Sequence, residues 1–316
     1  VWASWQRDAW LVAAVLLVDL RAYFAPFNEW AWLTALFFTA GAASLLLLPR
    51  VLTAQTSHWV GRAVVGAALL HVPLMAWQTA HGLPAVGWTD GPGSRYAAVV
   101  IALAVPLASL CLVPILVIGL YLSQSYLACA AAAVGVAVTM TRRVEWVCLG
   151  LVGAAVIGFS GHRAWPMWHE RLEAWTLIWP DLKASPLLGL GPGSWGTTVP
   201  LRQWTSSVAE KWPHAHSDLV EWGVEMGLVG ILLLLGWITC ATPRLWHSPV
   251  RGSLIALTVL SLGFHPLHTA SLAPWALLLL GVGLRNPDVR IRGEARCLTL
   301  PSGRGSWWRC WRAPAG

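Results

Sequence analysis

The hydrophobic positions of this chain come in long unbroken blocks rather than in stripes. Blocks lie near residues 9–21, 30–48, 59–80, 96–109, 110–122, 124–140, 145–161, 222–241, 252–264 and 270–284. An amphipathic soluble helix would show polar residues every third or fourth position. Apolar runs of about 18 residues instead read as helices that cross a lipid bilayer. The pattern predicts an all-α polytopic membrane protein with about ten transmembrane helices. The stretch 96–140 is short for three full crossings at about 1.5 Å of rise per residue. Pro106 and Pro114 are expected to break it into shorter helical pieces.

Composition agrees with the pattern. Hydrophobic residues make up 57% of the 316 positions and charged residues only 11%, well below the roughly 25% of a soluble domain. Many of the tryptophans sit at block edges, among them Trp10, Trp30, Trp59, Trp77, Trp146, Trp237 and Trp275. Indole rings favour the membrane–water boundary, so these are expected to be anchors. The cysteines lie either in apolar blocks (Cys111, Cys129, Cys148, Cys240) or in the tail (Cys297, Cys310), and no two form a CxxC pair. A disulfide scaffold or a thiolate zinc site is therefore not expected. No cleavable signal peptide is evident. The chain opens on Val rather than Met, which leaves room for a preceding helix.

The basic residues sort unequally when the blocks alternate across the membrane. One side receives fourteen: Arg7, Arg50, Arg62, Arg142, Arg143, Arg244, Arg251 and the seven tail arginines from Arg285 to Arg312. The other receives seven: Arg21, Arg95, Arg163, Arg171, Lys183, Arg202 and Lys211. Lys and Arg concentrate on the cytoplasmic side, so the loop 162–217 is expected to face outward, into the periplasm if the membrane is a bacterial inner membrane. This divides the chain into N-terminal helices (1–161), the periplasmic loop (162–217), C-terminal helices (218–284) and an arginine-rich cytoplasmic tail (285–316). Such a tail is expected to lie near anionic lipid.

The outward loop holds the candidate chemistry. "HERLEAWTLIW", His169 to Trp179, has helical spacing. Leu172, Trp175 and Ile178 or Trp179 form an apolar stripe that suits a helix on the membrane surface. Arg171 lies beside Trp175, one turn along. A guanidinium can hold a phosphate through two parallel hydrogen bonds. In "ASPLLGLGPGSWG", Gly189, Gly191 and Gly193 with Pro192 make a tight turn. A dinucleotide fingerprint would need a strand before it and a helix after it, and neither is indicated.

The densest group of titratable residues, "KWPHAHSDLVEWGVEMGLVG", stands at the entrance to an apolar helix. Ser217 or Asp218 can cap that helix. Asp218, Glu221 and Glu225 follow at spacings of three and four and so share one face. His216 precedes the helix N-terminus, whose partial positive charge favours a neutral imidazole. A neutral imidazole can act as a general base. Two other readings stand beside this one. "HAHSD" has the HxHxD spacing of a metal-dependent hydrolase, although Leu219 occupies the place of that motif's next histidine. His265 and His268 could complete a metal site, but the sequence does not bring them close. A transporter or flippase would place polar residues deep in several helices, and the main cases here are Asp19 and His71.

The order of these features resembles the O-antigen ligase and polymerase family. "RLEAWTLIWPDLKASPLLGLGPGSWG" is followed by a polar spacer and then "HAHSDLVEWGVEMGLVGILLLL". The first matches an Arg before a Trp, a Pro and a Gly-x-Gly turn. The second matches a His-Asn pair leading into a Glu-x-Gly-x-x-Gly helix. "FHPLHTASLAPWALLLLGVGL" is similar to the family's last pair of helices, and "YLSQSYLACAAAA" to its Ser-Arg helix, so the resemblance covers about residues 91–284. Ser217 stands where the family has Asn, and Tyr126 where it has the Arg that helps hold the donor pyrophosphate. Loss of that Arg also admits an inactive relative kept for assembly.

The resemblance implies an inverting glycosyl transfer that needs no metal and no cofactor. The donor would be a glycan on a polyprenyl pyrophosphate. The acceptor would be lipid A core, another lipid-linked glycan or a protein hydroxyl. Membrane lipid surrounds the site, and no nucleic acid takes part. Arg171 would bind the pyrophosphate and His216 would be the catalytic base. His214 and Glu221 would orient the substrates, Gly191 would shape the turn over the cleft, and Arg163 or Lys183 would add positive charge.

Overall fold

The computed structural model describes residues 2–24, 28–83, 95–109, 111–139, 169, 171–204, 214–269 and 272–285. The expected span 145–161, Arg163 and the tail beyond Arg285 lie outside these residues. Among the described residues the chain is helical and contains no strand. The helices are α1 (Trp2–Tyr23), α2 (Asn28–Val51), α3 (Ala54–Ala80), α4 (Arg95–Ala104), α5 (Val113–Ser123), α6 (Tyr126–Thr139), α7 (171–184), α8 (Ser194–Trp204), α9 (Asp218–Trp246), α10 (Arg251–Gly263) and α11 (Ala273–Leu284).

Among the described residues three helices are long and apolar enough to cross a membrane: Ala31–Val51 within α2, then α3 and α9. The apolar helices α4, α5, α6, α10 and α11 are shorter. The break between α4 and α5 follows from the prolines, whereas α5 ends at Gln124, whose φ is 51°. Pro106 sits in a tight helical turn, Val105–Leu107, that ends α4, and Pro114 occupies the first turn of α5. Proline is tolerated in a first turn, where its missing N–H would have had no partner. α3 starts at a reciprocal cap. Thr53 Oγ1 accepts from Thr56 N–H at 3.1 Å, and Thr56 Oγ1 accepts from Thr53 N–H at 2.7 Å.

α4 is the centre of the larger core. Ala97 to Val105 are all buried, as expected of a helix that is apolar all round. Val64, Ala68 and Met75 of α3 close on it, with Leu116 of α5, Ala128 and Ala131 of α6, and Ala256 and Leu260 of α10. Leu11, Ala42, Leu45, Ala241 and Leu284 form a second cluster that joins α1, α2, α9 and α11. The outward faces of α2 and α9 carry exposed Leu36, Phe37, Leu228, Leu232 and Leu235, which suits helices solvated by lipid. α1 carries an arginine near each end. Arg7 and Arg50 share Asp8 at one end, with contacts of 2.5 and 2.9 Å, and Arg21 near the other end donates to Gly189 O at 2.9 Å.

α9 is broken, and the break positions the site. Gly227 has φ 62° and ψ −162°. In a regular helix Val224 O would accept from Leu228 N–H, and Glu225 O from Val229 N–H. Here Val224 O accepts from Leu190 N–H at 3.0 Å and Glu225 O from Gly191 N–H at 2.8 Å. Leu228 and Val229 N–H donate to Pro186 O and Leu187 O, both at 3.0 Å. The segment 186–191 is thus inserted into the helix ladder, and it supplies partners for these four backbone groups. Glycine is required on both sides of the contact. Gly189 and Gly227 both have positive φ, and a Cβ on Gly189 would fall 2.5 Å from Glu225 O.

Gly227→Ala and Gly189→Ala are each expected to lower the melting temperature in detergent micelles. The left-handed backbone alone costs a β-carbon about 1–3 kcal/mol, before any clash. Gly66→Ala, on an open face of α3, should leave the melting temperature unchanged or raise it.

Candidate functional site

Three stretches meet at the start of α9: the loop 214–217, α7 and the turn between α10 and α11. Ser217 caps α9, with Oγ accepting from Val220 N–H at 3.3 Å, as one of the two expected caps. Asp218 N–H donates to Phe264 O at 3.3 Å and ties the helix mouth to the end of α10. His216 is one of two non-glycine residues with positive φ among those described, at 53°. Such a backbone is uncommon for a residue with a β-carbon, and here it turns the chain sharply into the capped helix.

The expected acidic face of α9 is present and turned inward. Asp218, Glu221 and Glu225 are all buried, and each has a partner. Glu221 Oε1 lies 3.0 Å from His214 Nδ1, and its Oε2 accepts from Ala215 N–H at 2.9 Å. His214 therefore joins the row through the loop, without an extension of the helix. Asp218 Oδ1 lies 2.7 Å from His268 Nδ1. Glu225 Oε1 accepts from Trp195 N–H at 3.3 Å, which anchors the first turn of α8.

α7 brings in Arg171. Arg171, Ala174 and Ile178 form its buried face. Arg171 Nη1 donates to Gly263 O at 2.7 Å, and Trp175 Nε1 to Ala215 O at 2.9 Å. The helix thus fastens both neighbouring segments. Its expected apolar stripe divides between two faces. Ile178 faces inward, whereas Leu172 and Trp179 are exposed, because the Arg171 face makes the tertiary contacts. Lys183 is exposed over the Trp179 ring, at 5.7 Å. It sits twelve positions beyond Arg171, roughly 18 Å along the helix, and is not brought to the cluster. The Gly191 N–H is used in the contact with Glu225.

Two residues that the sequence left apart do converge. His265 and His268 join His214 and His216. The His265 ring stacks on His214 at 4.6 Å and meets His216 edge-on at 5.0 Å. The available signal was topological: "FHPLH" joins α10 to α11, at the end of α10 that packs against the start of α9. Burial lowers the His265 pKa to about 2, and the neighbouring His214, His216, His268 and Arg171 add to the effect. For His268 burial acts in the same downward direction, but the carboxylates of Glu221 and Asp218 outweigh it and raise the pKa to about 10. One histidine of the cluster is therefore a neutral wedge and another a cation. Among the described residues, no group of three or more His, Cys, Asp and Glu side chains is arranged to hold a metal ion.

These two shifts predict a stability maximum near pH 6.5. A raised histidine pKa contributes stability that is complete below the unfolded value of 6.5 and is lost as pH rises through about 10. A lowered one contributes stability that is complete above 6.5 and is lost as pH falls towards about 2. Melting temperatures measured from pH 5 to pH 10 should fall on both sides, and His268→Gln should flatten the alkaline limb.

Comparison with known proteins bears on this arrangement. No curated protein matches the chain. The last helices, included in the resemblance read from the sequence, lie beyond the family match, and so do His265 and His268. Residues 93–235, which hold Arg171, the inserted turn, both loop histidines and the acidic face of α9, match the family model described as O-antigen ligase, so the resemblance seen in the sequence is to the family that this segment matches.

Proposed function

We propose that this membrane protein transfers a glycan from a polyprenyl-pyrophosphate donor to an acceptor hydroxyl, as an O-antigen ligase or polymerase does in surface polysaccharide assembly. The observation that carries the reading is the pairing of buried Arg171 with a histidine–carboxylate cluster at the mouth of an apolar helix. A lipid-linked donor presents its pyrophosphate at the membrane boundary, which is where these groups stand.

In the proposed step the acceptor oxygen attacks the anomeric carbon and its proton passes to His216. The bond from that carbon to the pyrophosphate oxygen breaks, and the pyrophosphate leaves with the electron pair. Attack opposite the leaving group inverts the anomeric centre. Arg171 offsets the charge that grows on the leaving group. A second reading assigns the base to His214, because Glu221 holds its Nδ1 at 3.0 Å and leaves Nε2 to accept a proton. The acceptor is lipid A core, another glycan or a protein hydroxyl. The site faces the periplasm from a bacterial inner membrane.

Transfer of lipid-linked glycan should be measured in membranes from a strain lacking its own ligase. His216→Ala is expected to lower the rate by about a hundredfold to ten-thousandfold, and His214→Ala by less. The reverse order would move the base to His214, and normal transfer in both would end the reading. Arg171→Ala should abolish transfer, and Arg171→Lys should restore little, since ammonium lacks the planar fork. Because Arg171 also fastens Gly263, the loss counts only in protein that melts as the wild type does.

Orientation has its own test. A phosphatase reporter that is active only in the periplasm should be active when fused after Ser206 and silent when fused after Arg296. An active tail fusion would reverse the assignment.

A further inference from the structure

One contact in the cluster serves two residues at once. Glu221 Oε1 lies 3.0 Å from His214 Nδ1 and 3.9 Å from His268 Nε2. A single carboxylate at this spacing favours one imidazolium, and a second positive charge beside it meets repulsion from the first. His268 holds the stronger position. Its Nδ1 is 2.7 Å from Asp218 Oδ1, and the other oxygen of Asp218 accepts from Leu267 N–H at 3.3 Å. His268 therefore lies between two carboxylates, whereas His214 meets Glu221 alone in this set of contacts. Of the remaining charged or titratable groups, Glu225 of α9 acts on His268 and His265 of its own turn lies beside it, while Arg171 of α7 and His216 of the loop act on His265.

We propose that His268 is a positioning residue that carries the positive charge of the site: it lies against both Asp218 and Glu221, and its charge keeps a second one off His214. In that state His214 donates Nδ1–H to Glu221 and turns the lone pair of Nε2 away from it. The neutral His265 ring lies between His214 and His216, so no positive charge stands directly against either loop histidine through that ring. A neutral imidazole keeps a lone pair that can accept a proton. The consequence for transfer rests on the proposed function, but the charge assignment does not. His268 lies in the turn after α10, outside the segment that matches the family model, so this feature is read from the structure of this chain.

The test is a nitrogen-15 histidine NMR titration of the full-length protein in micelles, with resonances assigned from single histidine variants. In the wild type His268 should be protonated at pH 8 and His214 neutral. In His268→Asn, which keeps an N–H for Asp218 but removes the charge, the His214 midpoint should rise by about 1–3 pH units. In His268→Arg, which keeps a charge, it should return towards the wild-type value. A neutral His268 at pH 8 in the wild type would overturn the proposal without any variant. An unmoved His214 in the Asn variant, or an equal rise in the Arg variant, would overturn it as well, since a merely structural residue would give one of these results. Glycan transfer measured on the same wild-type protein separates the two ideas: its absence would end the glycosyltransfer reading, while the titration alone would still decide the charge of His268.

Discussion

The site depends on a helix that another segment has opened. Residues 186–191 lie in the ladder of α9 on either side of Gly227, exchanging four hydrogen bonds with the helix backbone. In a bilayer an unsatisfied N–H or C=O costs several kcal/mol, because no water can replace the partner. A kink in a membrane helix therefore persists only where something else supplies the partners. Here the glycine turn does so, and in return it is fixed in place. Arg21 holds Gly189 from α1, and Glu225 holds the first turn of α8. The kink thus docks the loop onto the helix that bears the carboxylates, and the position of α8 follows from it.

A second constraint is charge. Three carboxyl groups are buried at one helix mouth, and buried polar groups require partners. The protein supplies them from separate parts of the chain: His214 and the Ala215 amide from the loop, His268 and the Leu267 amide from the turn after α10, and Trp195 from α8. The compensating groups are also those a glycosyl transfer at a membrane boundary would use, namely imidazoles and a guanidinium held on rigid elements. Arg171 has a structural role on Gly263 besides the proposed contact with phosphate. The site and the packing of α7, α9 and α10 are consequently one assembly.

The sequence by itself determined that the chain is helical and membrane-bound, because apolar block length is a local property and the bilayer imposes it. It determined the breaks at Pro106 and Pro114, the cap at Ser217 and the shared face of Asp218, Glu221 and Glu225, because each rests on backbone geometry or on helical period over a few residues. Tertiary structure decided the rest. Only packing showed that Arg171 shares its buried face with Ala174 and Ile178 rather than with Leu172 and Trp179, since both stripes have helical spacing and the neighbours choose between them. Only the fold brought His265 and His268, about fifty residues away, against His214 and His216, because contacts between separate helices leave no periodic trace in a single sequence. The glycine turn was legible as a turn, but its insertion into α9 was not: its partners are backbone groups, which every residue carries alike.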